Sequence, residues 1–204
     1  MYKKTLKKLF VLLALVIGLY PIIYFLIDRK FGLLQTKSDE ILSNSTWNIA
    51  FYTHIILGGI ALLIGWIQFV PKVRINNKRL HRNLGKIYVI SVLASSIAGI
   101  YIGLFATGGA WAAVGFIALS LIWFTSTLLA YTTIRKGKIN AHYKMMIYSY
   151  AACSAAITLR IWLPLLVLTL KDFIIAYRIT SWVCWIPNIL LAHFYVSKLK
   201  KYRP

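Results

Sequence analysis

The sequence predicts an all-α integral membrane protein, a bundle of six transmembrane helices with both termini in the cytoplasm. Of the 204 residues, 60% are hydrophobic and only 14% are charged, whereas soluble domains carry about 25% charged residues. The apolar residues form six long runs, each near the roughly 20 residues that a helix needs to cross the hydrocarbon core. This composition excludes an ordinary soluble domain and a disordered chain.

The six predicted spans follow one another with only short polar segments between them. They comprise residues 9–27, 47–70, 87–106, 112–132, 145–170 and 179–196. The first run is longer than the apolar core of a signal peptide and lacks a small-residue cleavage site, so we expect it to be retained. Because no linker or low-complexity segment interrupts the spans, residues 1–204 are predicted to form a single transmembrane domain.

The distribution of charge predicts the orientation. Most of the 24 Lys and Arg residues lie at the two termini and in the loops 71–86 and 133–144, whereas all four acidic residues lie in the opposite loops. The positive-inside rule then places both termini in the cytoplasm, as expected for a multi-pass protein of the bacterial cytoplasmic membrane. We therefore interpret the net charge of +20 as a topology signal and an attraction to anionic lipid, and predict no nucleic-acid partner.

Several classes of membrane enzyme are disfavoured by missing residues. None of the six spans contains Asp or Glu, although many proton-driven transporters, intramembrane aspartyl proteases and di-iron enzymes need carboxylates there. The sequence also lacks a phosphate-binding loop and the HExxH and GxSxG motifs. Whether the protein is an enzyme stays open, and the candidate residues are four histidines and one arginine within a span.

Two histidines suggest a site near the cytoplasmic boundary. His81 lies where the third span begins, and His142 lies where the fifth span begins. Histidine is a common axial ligand of haem iron, Gly85 would leave room for a flat macrocycle, and Arg82 could pair with a haem propionate. We predict His81 and His142 as tentative iron ligands of one haem b, with Arg82 and Gly85 as further cofactor-binding residues; apart from haem, no cofactor is predicted.

A second candidate site lies in the outer half of the membrane. His54 and Gln68 share one face of the second span at 100° per residue, and Arg160 lies at a depth similar to that of His54. An arginine within a span is costly and usually pairs or faces a cavity, although it can also snorkel to the interface. We predict His54, Arg160 and Gln68 as a site for an anion or a lipid headgroup.

The small residues of the third span recur every four positions. This row allows helices to pack closely without any ligand, within the chain or in an oligomer. Packing is the interpretation we favour, and an oligomer formed through such faces is a further expectation. The row comprises Ser91, Ser95, Gly99 and Gly103.

The ordered motifs resemble those of an uncharacterised bacterial membrane family, domain-of-unknown-function family 2306, over roughly residues 50–165. The resemblance implies a polytopic helical membrane protein and brings no established activity. It rests on His54, Gly58, Gly65 and Gln68, then His81, Arg82, Gly85 and Tyr88, then His142, Met145 and Ser149, then Leu159 and Arg160.

A more distant similarity concerns the segment that begins at His81. It is similar to the histidine-glycine segment of cytochrome b561 and ferric-reductase-like proteins, which are haem bundles that pass electrons across membranes. By that pattern His81 and His142 would pair. A partner for His54 should lie on the fourth span, which contains no histidine, so the similarity implies at most one haem.

Three functional hypotheses follow. The first is a six-helix cytochrome with one haem near the cytoplasmic face, exchanging electrons with a quinone or another redox partner. The second is a non-enzymatic membrane protein, such as a small-molecule carrier, an assembly factor or a complex subunit, that binds an anion at Arg160 and His54. The third is a zinc site formed by His81, His142 and His193, which is the least favoured because no carboxylate is available there as a general base.

Overall fold

A computed structural model describes residues 2–27 and 30–199, and all regular secondary structure in these residues is helical. Short 3₁₀ turns at 20–22, 32–36 and 66–69 accompany the helices. The α-helices are α1 (Tyr2–Leu19), α2 (Ile23–Leu26), α3 (Asp39–Ser43), α4 (Ser45–Gly65), α5 (Pro71–Asn76), α6 (Lys78–Gly103), α7 (Ala110–Arg135), α8 (Ile139–Cys153), α9 (Ala155–Leu170), α10 (Phe173–Val183) and α11 (Ile186–Lys198).

Six segments of the described chain are long and apolar enough to cross a membrane, which confirms the predicted fold class. They are Lys4–Leu26, Ser45–Phe69, Lys78–Gly103, Ala110–Arg135, Ile139–Leu170 and Phe173–Lys198. We number them as spans 1 to 6. The end of the bundle where span 1 begins and span 6 finishes is called the basic end, and the opposite end is called the far end.

The third and fifth spans begin earlier than the hydropathy pattern predicts. Helix α6 starts at Lys78, where the Asn77 side chain accepts a hydrogen bond from the Leu80 amide at 3.0 Å. Helix α8 starts at Ile139, before the predicted start of the fifth span at residue 145. Hydropathy marks only the apolar part of each helix, whereas a capped helix continues into the polar interface without losing hydrogen bonds.

The spans pack in sequence order around a common centre. Helix α4 packs on α6, α6 on α7 and α7 on α8, while α10 and α11 of span 6 close the bundle against α7, α8 and α9. Span 1 packs mainly on α4, where a Cβ atom at Gly59 would lie 2.6 Å from the Gly18 carbonyl oxygen. The two backbones therefore touch because both positions are glycine.

The small residues of α6 are used inside the chain. Ser91, Ser95, Gly99 and Gly103 are all buried, and a Cβ atom at Gly99 would lie 2.8 Å from the Ser120 Oγ of α7. The row therefore packs helices of the same chain against one another. Oligomerisation through small-residue faces stays a prediction.

Three buried hydroxyls connect α6, α7 and α8 near the middle of the bundle. Ser149 lies 2.7 Å from the Tyr88 hydroxyl and 2.6 Å from Thr127, which donates to the Trp123 carbonyl at 2.7 Å. Since Thr127 uses its proton on that carbonyl, the chain runs in one direction from Tyr88 through Ser149 to Thr127. Its role is to satisfy polar groups where water is absent and to fix three helices in register.

The segment between spans 1 and 2 covers part of the far end. Leu34 is only 2% exposed and packs with Leu42, Trp47 and Phe51. Two hydrogen-bonded contacts join this segment to the loop after α6: Thr36 meets Thr107 at 2.8 Å, and the Lys37 ammonium donates to Thr107 and to the Phe105 carbonyl. The segment therefore forms a wall above the interior of the bundle.

Candidate ligand-binding cavity

A cavity of about 510 Å³ lies in the far half of the bundle, and all six spans contribute to its walls. Its volume is within the range of small-molecule sites. Most of the wall is aromatic or aliphatic, and among the described residues none of the lining side chains is acidic. The polar lining residues on which the argument depends are Lys37, Trp47, His54 and Arg160.

Arg160 projects from α9 into this cavity. Its Nη1 donates to the Ala156 carbonyl at 2.9 Å, and its guanidinium carbon lies 4.4 Å from the centre of the Tyr20 ring, a cation–π distance. Within the described residues, no carboxylate forms a salt bridge with Arg160. A guanidinium has five N–H donors, so a carbonyl and a ring face leave most of its hydrogen-bonding capacity unused and its charge without an anionic partner among the described residues.

The helix around Arg160 also carries an interrupted hydrogen bond. Pro164 lies four residues further along α9 and has no N–H group to donate to the Arg160 carbonyl. The backbone at this point is therefore more polar than in a regular transmembrane helix. Both the charge and the interrupted backbone bond occur at a position that lines the cavity.

His54 is held firmly between α4 and α6. Its Nδ1 lies 2.9 Å from the Ser95 carbonyl, and the Ser95 hydroxyl donates to the His54 carbonyl at 2.9 Å. Because a carbonyl only accepts, the neutral ring is assigned a proton on Nδ1 and a lone pair on Nε2. Gly99 lies beside the ring, where a Cβ atom would be 2.9 Å from Nδ1.

Two further donors line the far-end part of the cavity. The Trp47 side chain is only 3% exposed, and its indole N–H has no acceptor among the described residues. Burial lowers the pKa of Lys37, whose ammonium donates to a carbonyl and a hydroxyl rather than to a carboxylate. The groups that remain to be satisfied here are donors, which favours a ligand that accepts hydrogen bonds.

Gln68 lies at the basic end, away from His54 and Arg160. With its amide oriented to satisfy its neighbours, Gln68 donates to the His81 Nδ1 at 2.9 Å and accepts from the Gly85 amide at 3.3 Å. Helix α4 gives way to a 3₁₀ turn at Trp66–Phe69, which changes the rotation per residue. The structure thus places Gln68 with the predicted inner residues rather than with the outer ones.

His81 and His142 are near neighbours at the basic end and interact electrostatically. The His142 Nδ1 lies 2.8 Å from the Ala130 carbonyl, which leaves Nε2 with a lone pair. His81 differs, because its Nδ1 accepts from Gln68 and its proton is then assigned to Nε2.

These contacts bear on the haem hypothesis. An iron ligand must present an unprotonated nitrogen that makes no other hydrogen bond. His142 offers Nε2, whereas the unprotonated Nδ1 of His81 already accepts from Gln68. The space beside Gly85 would admit a methyl group but not a macrocycle, since a Cβ atom there would already lie 3.5 Å from the side-chain amide of Gln68. The residues therefore fit a haem poorly, and haem binding, including the role of Arg82, stays a prediction.

The third histidine of the zinc hypothesis lies elsewhere. The His193 Nδ1 is 2.9 Å from the Tyr148 hydroxyl on the exposed side of the bundle. In the described part of the chain, no three His, Cys, Asp or Glu side chains come together as metal ligands do. A three-histidine zinc site is not formed by these residues.

Comparison with protein families identifies the chain. The model of the predicted membrane proteins DUF2306 matches residues 51–196, which is well over half of the sequence. The chain belongs to this family. The match extends beyond the stretch 50–165 on which the resemblance rests and includes most of span 6. No curated protein and no solved structure gives a significant match.

Membership of DUF2306 supports a multi-pass membrane protein and says nothing of an activity. The similarity to cytochrome b561 finds no support in these comparisons and stays a prediction. Sequence analysis also missed three cavity residues: Tyr20, Lys37 and Trp47. Aromatic residues near span ends are usually interfacial anchors, so only the packing reveals that Tyr20 and Trp47 turn inward.

Proposed function

We propose that this DUF2306 protein is a non-enzymatic membrane protein that binds an amphiphilic organic anion in its far-half cavity, with Arg160 as the principal contact. The observation that carries the proposal is a guanidinium in a cavity whose described lining contains no acidic side chain. A charge at this depth is costly unless it is matched. A bound carboxylate or phosphate would match it.

The remainder of the wall supports the amphiphilic part of the proposal. Trp47 and Lys37 supply further donors at the far-end side, and the other walls are largely apolar. His54, with a lone pair on Nε2, can accept a hydrogen bond from a protonated or hydroxylated ligand. A few polar groups in an apolar cavity are typical of sites that orient a small ligand.

The orientation of the protein in the membrane decides which half of the bilayer contains the cavity. We infer from the excess of Lys and Arg that the basic end faces the cytoplasm of a bacterial cell and that the cavity lies in the outer half of its cytoplasmic membrane. All 204 residues then act as one transmembrane domain. The ligand would reach Arg160 from the outer leaflet or from the outer solution.

The test is binding of dodecanoate by the full chain in a non-ionic detergent, measured by native mass spectrometry, with dodecanol as the uncharged comparison. Dodecanoate should bind and dodecanol should not. Arg160→Gln should weaken dodecanoate binding by about 2 kcal/mol or more, roughly 30-fold.

Arg178→Gln is the matched control, because it removes the same charge from a residue that bonds the Gly108 carbonyl and does not line the cavity. This variant should bind dodecanoate like the wild type. Equal binding by wild type and Arg160→Gln, with both proteins folded, would refute the proposal. Equal binding of dodecanoate and dodecanol would refute the anionic character of the ligand.

A further inference from the structure

Residues of span 1 and α9, two helices that share few direct contacts, form one side of the cavity wall. Pro164 lines the cavity and is exposed, at a depth within span 5. Ile17, Tyr20 and Leu163 also line the cavity and are only half-buried. Residues that are both part of the wall and open to the surface mark the place where the cavity meets the bilayer.

Span 1 packs tightly on α4 and more loosely on α9. Towards α4, Gly18 and Gly59 bring the two backbones into contact. Towards α9, the guanidinium of Arg160 lies over the Tyr20 ring, a contact between a flexible side chain and a ring face. The 3₁₀ turn at Tyr20–Ile22 interrupts the helix of span 1 at this level. The α9 side is therefore the side that can separate at lower cost.

The approach from the far-end solution is narrower. The segment around Leu34 closes the cavity from that side and is joined to the opposite loop through Thr36 and Lys37. Gly32 is the exposed lining residue there, and the hydroxyls of Tyr20 and Tyr24 lie near it. An anionic headgroup would lie beneath this segment, while an apolar chain would pass between span 1 and α9, where the Arg160–Tyr20 contact bridges the gap.

We propose that the ligand is a membrane-derived acyl anion that enters laterally between span 1 and α9, leaving its hydrocarbon chain in the bilayer beside Pro164. This inference rests on the proposed function and names its ligand class. The headgroup would be a carboxylate or a phosphate, both of which an arginine binds through paired N–H groups. The cavity is smaller than a whole two-chain phospholipid, so the chains of such a ligand would remain partly in the bilayer.

On this proposal, the Arg160–Tyr20 contact both covers the guanidinium and closes the gap through which the ligand enters. The Tyr20 ring covers the guanidinium and bridges the gap between span 1 and α9. A headgroup entering between the spans meets the charge at the edge of the bilayer, before it reaches the interior. Attraction of the anion and release of the bridge therefore occur at the same residue.

The experiment compares anions that share a headgroup and differ in their chain: dodecanoate with butanoate, and dodecyl phosphate with inorganic phosphate. Leu163→Trp narrows the gap from the α9 side, and Leu165→Trp is its control on the exposed face of the same helix. We expect Leu163→Trp to lower the affinity for the better-bound chain-bearing anion at least tenfold and Leu165→Trp to leave it unchanged. Butanoate and phosphate should bind at least tenfold more weakly than their chain-bearing counterparts.

Equal affinity for chain-bearing and chainless anions would overturn the inference, because the ligand would then come from solution. Equal effects of Leu163→Trp and Leu165→Trp would overturn it as well. Both outcomes leave anion binding at Arg160 intact as long as Arg160→Gln weakens binding, although the first removes the amphiphilic character of the ligand. Binding that is insensitive to Arg160→Gln removes both proposals. Should Leu163→Trp fail to fold, Ile17→Trp narrows the gap from span 1, with the exposed Val16→Trp as its control.

Discussion

Replacing Gly65 by alanine is expected to destabilise the bundle, because two aromatic rings occupy the space that the new methyl group needs. A Cβ atom at Gly65 would lie 2.6 Å from the Tyr150 Cδ2 and 2.8 Å from the Tyr88 Cε2, and closer still to the Tyr150 Cε2. Carbon atoms prefer separations of about 3.5–4.0 Å. Both rings would have to move by roughly 1 Å.

Moving either ring would weaken a hydrogen bond of its hydroxyl group. The Tyr150 hydroxyl donates to the Leu62 carbonyl at 3.1 Å, and the Tyr88 hydroxyl bonds Ser149 at 2.7 Å. Overpacking costs about 1–3 kcal/mol, and each weakened hydrogen bond adds up to about 1 kcal/mol. The higher helix propensity of alanine offsets up to about 1 kcal/mol of this destabilisation. The net expectation is a loss of about 2 kcal/mol.

The assay is thermal unfolding of the detergent-solubilised protein at one scan rate, because the apparent Tm of an irreversible transition depends on that rate. For a chain of this length, about 2 kcal/mol corresponds to a fall in Tm of about 4–8 °C. Gly85→Ala is the control, since its Cβ atom would meet only the Gln68 Oε1, at 3.5 Å. Its Tm should stay the same or rise. An unchanged or higher Tm for Gly65→Ala would refute the reasoning.

Four further outcomes are expected. Ser149→Ala should lower the free energy of unfolding by about 1–3 kcal/mol, because two buried hydroxyls lose a partner; a Tm equal to that of the wild type would contradict this. Tyr20→Leu should strengthen dodecanoate binding about fivefold, because entry of the ligand then no longer breaks the cation–π contact with Arg160, about 1 kcal/mol, whereas Tyr20→Phe should bind normally; equal affinities of the two variants would count against the ring. Burial lowers the pKa of Lys37 in the folded protein, so between that value and 10.5 the unfolded chain holds more protons and stability should rise with pH; Lys37→Met should flatten this rise in Tm, and an identical slope in both proteins would exclude the linkage. The haem hypothesis predicts a Soret band that His142→Ala abolishes in protein expressed with a haem precursor, and a colourless wild type would end that hypothesis.

The positions of the spans could be predicted because hydropathy depends on composition alone. Arg160 could be found in the same way, since a charge within an apolar run is visible without a structure. Helical periodicity did not locate Gln68. Its placement on the His54 face assumed a constant rotation per residue through Trp66–Phe69, where the chain adopts a 3₁₀ turn. Gln68 also lies 14 residues from His54, which is a distance of about 21 Å along an α-helix.

The predicted site of His54 and Arg160 shows what the sequence can predict and what depends on the packing of the helices. Their similar depth follows from counting residues, and the structure brings both to one cavity. That Tyr20 covers the guanidinium, and that Trp47 lines the cavity with an indole N–H that has no acceptor among the described residues, depends on how span 1 and span 2 are rotated. Those rotations are decided by contacts such as Gly18 with Gly59, which no single helix encodes by itself.

The sequence by itself determined a six-span membrane protein, the charge imbalance between its two ends and the presence of one arginine within a span, because these depend on which residues occur in which run. Only the tertiary structure decided that all six spans enclose a cavity, that Tyr20 of span 1 meets Arg160 of α9 at its wall, and that Gln68 belongs to the basic end. Lipid offers every helix face a similarly apolar surrounding, so hydrophobicity cannot choose the neighbours of a helix. Close backbone contacts and buried hydrogen bonds make that choice.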